Sequence, residues 1–258
     1  MTIRLILAGP RGKMGSETIN LIHNRSDLQL VACIDKASQD RSTGVDLDEV
    51  VIYEDAEKCF QQCEADVFID FTVADACFKH SKLALKAHVH PVIGTSGLSN
   101  EQMMHLSQIA ETHRTGGIIV PNFSIGALLM MHFAKQAATF FSSAEIIEKH
   151  HDQKLDAPSG TALRTAEMMR QTVSQSDEEQ KRFKGDRSAS TASDIPIHSV
   201  RLPGLLAHHE VVFGGLGEAL TIKHDSFNRQ SYMNGILWAI HYVVTIDHLA
   251  YGLDDILK

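Results

Sequence analysis

The stretch Ile3-Arg4-Leu5-Ile6-Leu7-Ala8-Gly9-Pro10-Arg11-Gly12-Lys13-Met14-Gly15 decides how the chain is read. Ile3 to Ala8 is a continuous apolar run with a single charge, the pattern of a parallel strand covered on both faces. Lys13 to Asn24 reads as a helix with Met14, Thr18, Leu21 and Ile22 on one face. The turn between them carries glycines spaced G-x-x-G-x-x-G. Glycine lets a backbone approach a pyrophosphate, and a helix start offers N–H groups and partial positive charge. The usual spacing is G-x-G-x-x-G, so the context has to carry the reading. Asp35 supplies that context. It closes the second strand, Leu28 to Asp35, where an acidic side chain meets adenosine ribose hydroxyls, and Lys36 beside it suits a 2′-phosphate. A dinucleotide therefore fits against Gly9, Pro10, Arg11, Gly12, Lys13, Met14, Asp35 and Lys36. The plainer alternative is a glycine turn beside a surface Asp-Lys pair.

Working outward, strands and helices alternate. Val67 to Phe71, Pro91 to Ile93 and Gly117 to Val120 read as strands. Ala74 to His88 reads as a helix, and Ser99 with Gln102 forms a capping box for another. This alternation predicts an α/β fold with a doubly wound parallel sheet. Ligands of such sheets sit beyond the carboxyl ends of the strands. Those ends are Phe71-Thr72, Gly94-Thr95-Ser96 and Val120-Pro121-Asn122-Phe123, whose hydroxyls and backbone suit a nicotinamide ribose and carboxamide. Taken singly, each is also an ordinary loop.

The second half has a different character. Ser124 to Phe141 reads as a long apolar helix, Ala144 to His151 as a strand and Ser159 to about Gln171 as a helix. Residues 175–194 read as a solvated, mobile loop. His198 to Arg201, Ala207 to Phe213 and Glu218 to His224 read as antiparallel strands, and Gln230 to Leu249 as a helix. This half is α+β.

With 258 residues, 43% hydrophobic and 22% charged, the chain holds enough apolar material for a core without staples. A net charge of −8 argues against a nucleic-acid binder. The four cysteines form no C-x-x-C pair, which fits reduced thiols and a cytoplasmic location. The N-terminal apolar run is too short for a signal peptide, and no stretch approaches the ~20 apolar residues of a membrane span.

The densest chemistry lies in Glu148-Lys149-His150-His151-Asp152-Gln153-Lys154-Leu155-Asp156-Ala157-Pro158-Ser159-Gly160-Thr161-Ala162. Ser159 is placed as the N-cap of the following helix, so N–H groups at Gly160 and Thr161 face an anion such as a carboxylate. Histidine suits proton donation near neutral pH, and Lys154 is a point charge for an anion. On an extended strand, His150 and His151 point to opposite faces and do not share one role. No third ligand at metal-site spacing accompanies them, so no metal is assigned. His88/His90 and His208/His209 are assigned to surface or packing roles.

Together these segments resemble the 4-hydroxy-tetrahydrodipicolinate reductase (dihydrodipicolinate reductase) family. The matching stretches are Gly9 to Gly15, Asp70-Phe71-Thr72, Val92 to Thr95, Pro121 to Gly126, Glu145 to His151 with Lys154 to Ala162, Asn228 to Gly235 and Gly252 to Leu257. The resemblance spans nearly the whole chain and is weakest over 175–194. It implies a Rossmann domain at 1–122 completed by 229–258, with a substrate-binding and tetramerisation domain at 123–228. It also implies NADPH or NADH as hydride donor and a small dicarboxylate substrate. By resemblance, His150 is the proton donor, Lys154 a proton donor and carboxylate partner, and His151, Ser159, Gly160 and Thr161 substrate contacts.

The sequence departs from the family's frequent Glu-Arg pair, having Asp35-Lys36, and Ser96 replaces a frequent Thr. Both cofactors are therefore expected to bind. A homotetramer is expected as well, because Val200, Leu202, Val211, Val212, Phe213, Leu220 and Ile222 present more apolar sheet face than the domain's own helices are expected to cover. Two other classes compete. A sugar or homoserine dehydrogenase leaves His150 to Thr161 without a role, and a non-catalytic NAD(P) sensor has no need for His150 and Lys154 together.

Overall fold

The structure, a computed structural model, describes residues 2–36, 50–170 and 195–254. The chain divides into two compact units, 1–123 with 232–258, and 124–231.

The first unit is built on a seven-stranded sheet whose neighbouring strands are all parallel. In chain order the strands are β1 (Ile3–Ala8), β2 (Leu28–Ile34), β3 (Val51–Tyr53), β4 (Val67–Asp70), β5 (His90–Ile93), β6 (Gly117–Ile119) and β11 (Leu249–Tyr251). The sheet order is β11-β6-β5-β4-β1-β2-β3. The winding therefore reverses at β1, between β2 and β4, and opens a crevice beyond the β1 carboxyl end. The helices are α1 (Lys13–His23), α2 (Ala56–Gln62), α3 (Ala74–Lys86), α4 (Asn100–His113) and α7 (Met233–Val243). Leu5, Ile6, Leu7, Val67, Phe68 and Ile69 are fully buried, as a strand covered on both faces requires. Alternation sends Ile6, Ala8 and Phe68 into one apolar cluster with Ala32, Ile34, Cys59 and Ala84. Each large side chain so buried contributes ~1.5–3 kcal/mol.

Several boundaries differ from the sequence reading. On α1 the buried stripe is Gly15, Thr18, Ile19 and Ile22, an i, i+3, i+4, i+7 set, while Met14 and Leu21 lie on its flanks. The expected helix to Leu249 stops at Val243, because Thr245 turns its N–H and hydroxyl back onto the Tyr242 carbonyl. The chain then enters β11, a strand the periodicity did not reveal, which pairs with β6. β3, with three residues, is too short to show a period.

The second unit holds a four-stranded sheet in the order β10-β9-β7-β8. Its strands are β7 (Ser143–His150), β8 (Ile197–Arg201), β9 (Ala207–Gly215) and β10 (Glu218–Ser226). It packs against α5 (Ile125–Ala137) and α6 (Gly160–Arg170). The sheet is mixed, not antiparallel, because β8 runs parallel to β7. A parallel return needs a crossover, and α6 lies within it. α5 is shorter than read and ends at Ala137, with Ser124 accepting from the Ala127 N–H as its N-cap. The expected loop 175–194 lies outside the described residues.

The register also corrects the argument for an uncovered apolar face. Val211 and Phe213 are fully buried on the helix side of the sheet. Val212 and Val200 lie on the other face, among Glu145, Lys149, His198, Glu210 and Asp225. Among the described residues, no helix is long and apolar enough to cross a membrane.

Candidate active site

In the first unit, the glycine turn sits at the end of β1 and runs into α1. Gly9 has φ +79°, a conformation costly for any residue with a Cβ, and a Cβ there would fall 2.7 Å from the Phe71 carbonyl oxygen. A Cβ on Gly15 would fall 2.1 Å from the Gly9 carbonyl oxygen. The two glycines thus let the turn fold tightly over the first turn of α1. Pro10 is buried, and Lys13 and Lys36 are exposed. The first turn of α1 carries no acidic side chain, so its partial positive charge is left for an anion. A dinucleotide pyrophosphate fits this donor set. Asp35 sits just past β2, where its carboxylate accepts from Arg11 Nη1 at 2.7 Å and from the Lys36 N–H at 2.9 Å.

The other strand ends meet around a residue that the sequence reading left without a role. Asp70 is fully buried at the end of β4. Its Oδ1 accepts from the Thr72 N–H (2.9 Å), the Thr72 hydroxyl (2.6 Å) and the Thr95 hydroxyl (2.8 Å), while its Oδ2 meets His80 Nδ1 at 3.0 Å. The hydroxyl hydrogens expected to serve a ribose or carboxamide are therefore turned onto Asp70. They shape the loops rather than face outward. Gly94 makes room for the Phe71 ring, which stands edge-on to Phe123 at 5.9 Å. Ser96 and Pro121 are exposed, Val120 is buried and Asn122 is half-buried. A charge closing an apolar strand, as Asp70 closes Val67-Phe68-Ile69, was the available signal.

In the second unit, alternation along β7 sends Ile146, Glu148 and His150 to the helix side of the sheet. Glu148 is fully buried and His150 nearly so. Four donors converge on the Glu148 carboxylate. His150 Nδ1 lies 2.5 Å from Oε2, and Arg201 Nη1 donates to the same oxygen at 2.8 Å. Arg201 Nη2 donates to Oε1 at 2.8 Å, and the Ser159 N–H donates to Oε1 at 3.2 Å. Burial opposes ionisation of Glu148, but the bonds from His150 and Arg201 outweigh it and hold the carboxyl far below its usual range. Arg201 also donates to the Asp156 carbonyl at 2.7 Å, which ties down the loop after β7.

Ser159 caps α6, since its hydroxyl accepts from the Ala162 N–H at 3.3 Å. The same hydroxyl lies 3.1 Å from His209 Nε2. Burial, with the charge of His150 next, pushes His209 down to about 4, so its ring is neutral and accepts from Ser159. The His209 ring stands edge-on to His150 at 5.5 Å. His209 therefore belongs to this cluster and not to the packing role assigned from sequence. Its signal was its place on the buried side of a strand.

Lys154 is held by Asp156, with Nζ 2.6 and 2.8 Å from the two carboxylate oxygens. That bond, working against burial, lowers the Asp156 carboxyl. His151 lies beyond the end of β7 and is half-buried. Gly160 is exposed, and a Cβ there would meet open space. Thr161 is half-buried in the same first turn.

The first unit carries a glycine turn at a helix start that fits a dinucleotide, and the second carries a histidine held by a buried carboxylate, a lysine and a helix start. The family described as "Dihydrodipicolinate reductase, N-terminus" matches residues 3–123, and "Dihydrodipicolinate reductase, C-terminus" matches residues 126–257. The chain belongs to the dihydrodipicolinate reductase family. Within it, the chain is 47% identical to 4-hydroxy-tetrahydrodipicolinate reductase of Oceanobacillus iheyensis, over all of both chains. It is 46% identical to that of Geobacillus thermodenitrificans, again over all of both. Among solved structures, a dipicolinate-bound dihydrodipicolinate reductase from Paenisporosarcina sp. TG-14 matches with a TM-score of 0.83 and 43% identity. The match covers 99% of this chain and 100% of that one. These reductase relatives give the dehydrogenase and sensor alternatives no support.

Proposed function

We propose that this chain reduces 4-hydroxy-tetrahydrodipicolinate to tetrahydrodipicolinate with NADPH or NADH, in the diaminopimelate and lysine route. The observation that carries the reading is full-length identity of 47% to a reductase of that name. The first unit is the nucleotide-binding domain, and the second binds substrate. The reduced nicotinamide, when bound, supplies the hydride.

The chain's own residues do the rest. Gly9, Pro10, Arg11, Gly12, Lys13 and Met14 receive the pyrophosphate, and Asp35 with Lys36 receives the adenosine ribose. Phe71, Thr72, Gly94, Thr95, Ser96, Val120, Pro121, Asn122 and Phe123 frame the nicotinamide end. Ser159, Gly160 and Thr161 at the start of α6, with Lys154, form one anion subsite for a dicarboxylate, and His151 makes a second substrate contact. A substrate carboxylate competes with Asp156 for Lys154. Loss of water and addition of hydride leave an electron-rich enamine carbon that takes up a proton. The ionised Glu148 accepts only, so the Nδ1–H of His150 stays on it. The proton His150 gives to substrate therefore leaves from Nε2, with Lys154 as a second donor.

The mixed sheet's outer face, with Ile147, Val200 and Val212 among charged side chains, is the proposed surface of a homotetramer. The cytoplasm is the proposed location. Supplying substrate made enzymatically in the same cuvette, with NADH and NADPH compared, tests the activity. Nicotinamide oxidation with formation of tetrahydrodipicolinate is expected. Absence of both with a folded protein overturns the reading.

A further inference from the structure

We infer that Glu148 is a positioning residue that fixes the tautomer of His150 and ties that histidine to the start of α6. This rests on the reading of His150 as proton donor.

Glu148 sits two residues before His150 on the same face of β7 and is fully buried. Its Oε2 faces His150 Nδ1, and its Oε1 accepts the N–H of Ser159, the α6 N-cap. One carboxylate thus holds both the histidine and the helix start. Arg201, from β8, donates to both oxygens and fixes the plane of the carboxylate. The ionised carboxylate has no hydrogen to give, so a neutral His150 must carry its hydrogen on Nδ1 and leave Nε2 bare. The other ring beside His150 is His209 from β9, which is neutral and engaged with Ser159. Arg201 lies across from His150 on β8, Ser199 lies across from Glu148 on the same face, His209 stands beside His150 from β9, and Lys154 follows on the loop after β7.

Replacing the carboxylate with an amide changes this logic. Arg201 is a charged donor and takes the amide oxygen of Glu148→Gln. The amide NH₂ is then left toward His150 Nδ1, which must accept. The imidazole hydrogen moves to Nε2, the wrong nitrogen for a base that must be recharged there.

The test reads the imidazole nitrogens of the full-length protein directly, using isotope-labelled histidine and long-range proton–nitrogen spectra. The His150 signals are assigned by their loss in His150→Gln. In the wild type, neutral His150 is expected to show a protonated Nδ1 and a bare Nε2. In Glu148→Gln the pattern is expected to reverse. Its kcat is expected to fall about 10²–10⁴-fold, from the loss of a positioned acid up to the scale of a wrong-tautomer defect, with the cofactor KM unchanged. Glu148→Asp keeps the carboxylate and is expected to restore the Nδ1–H form and part of kcat. A bare Nδ1 in the wild type overturns the inference even if Glu148→Gln does not fold. An unchanged kcat in a folded Glu148→Gln also overturns it. Retention of kcat in His150→Gln instead removes the proton-donor reading beneath it.

Discussion

Arg11 Nη1 lies 2.7 Å from Asp35 Oδ2, so the acidic residue proposed to receive the adenosine ribose is answered by a cation from the glycine turn itself. In the proposed site a ribose diol would draw on Asp35, whereas a 2′-phosphate would draw on Arg11 and Lys36. With both kinds of group present, preference between NADH and NADPH is expected to stay under about tenfold, or ~1.4 kcal/mol. Arg11→Ala and Lys36→Ala are each expected to weaken NADPH more than NADH in calorimetric titrations. Equal losses for the two cofactors would show that neither side chain reads the phosphate.

Asp70 holds Thr72, Thr95 and His80 from within the first unit's core. Asp70→Ala leaves the buried Thr95 hydroxyl and the part-buried donors of Thr72 and His80 without their acceptor, at ~1–3 kcal/mol for each buried group. A loss of about 3 kcal/mol or more in urea unfolding is expected. A loss under about 1 kcal/mol would mean that the loops re-pair at little cost.

Much of this was legible in the sequence. The strand at Ile3–Ala8, the glycine turn and a helix starting at Lys13 appear as read, because a doubly covered strand and a tight glycine turn each demand particular residue types. The helix buries Gly15 and Ile19 where Met14 and Leu21 were expected. The capping box at Ser99 and Gln102 is present, and Ser159 caps α6. What did not show were features set by pairing across the chain. Glu148, Arg201 and His209 come from three strands, and only their register brings them together. β11 has three residues and exists as a strand because β6 offers it an edge. Val211 and Phe213 looked like exposed sheet until their register put them under helices.

His209 gives the second unit a pH signature. Its ring titrates near 4 when folded and near 6.5 when unfolded, so the unfolded chain binds the extra proton first. Stability is then at its full value above about pH 6.5 and falls as pH drops toward 4, by about 3 kcal/mol from this group. Burial also lowers His90 and His224, which act in the same direction. His209→Asn keeps an acceptor for Ser159 and is expected to flatten the slope of unfolding free energy against pH in that window. An unchanged slope would place the dependence elsewhere.

Light scattering at micromolar concentration is expected to give the mass of four chains. Lys149→Glu and Val212→Asp, on the proposed tetramer face, are expected to shift the mass downward together. A monomer in the wild type would contradict the assembly.

The most direct measurement is steady-state kinetics of His150→Gln beside the wild type across about pH 6 to 9, the range in which histidine acid–base chemistry is read. A positioned acid contributes ~10²–10⁴ in rate, so kcat is expected to fall by that factor with little change in cofactor Kd. Lys154→Ala is the companion variant, expected to lower kcat and also raise the substrate KM. A folded His150→Gln with near-wild-type kcat over the whole range would contradict the account.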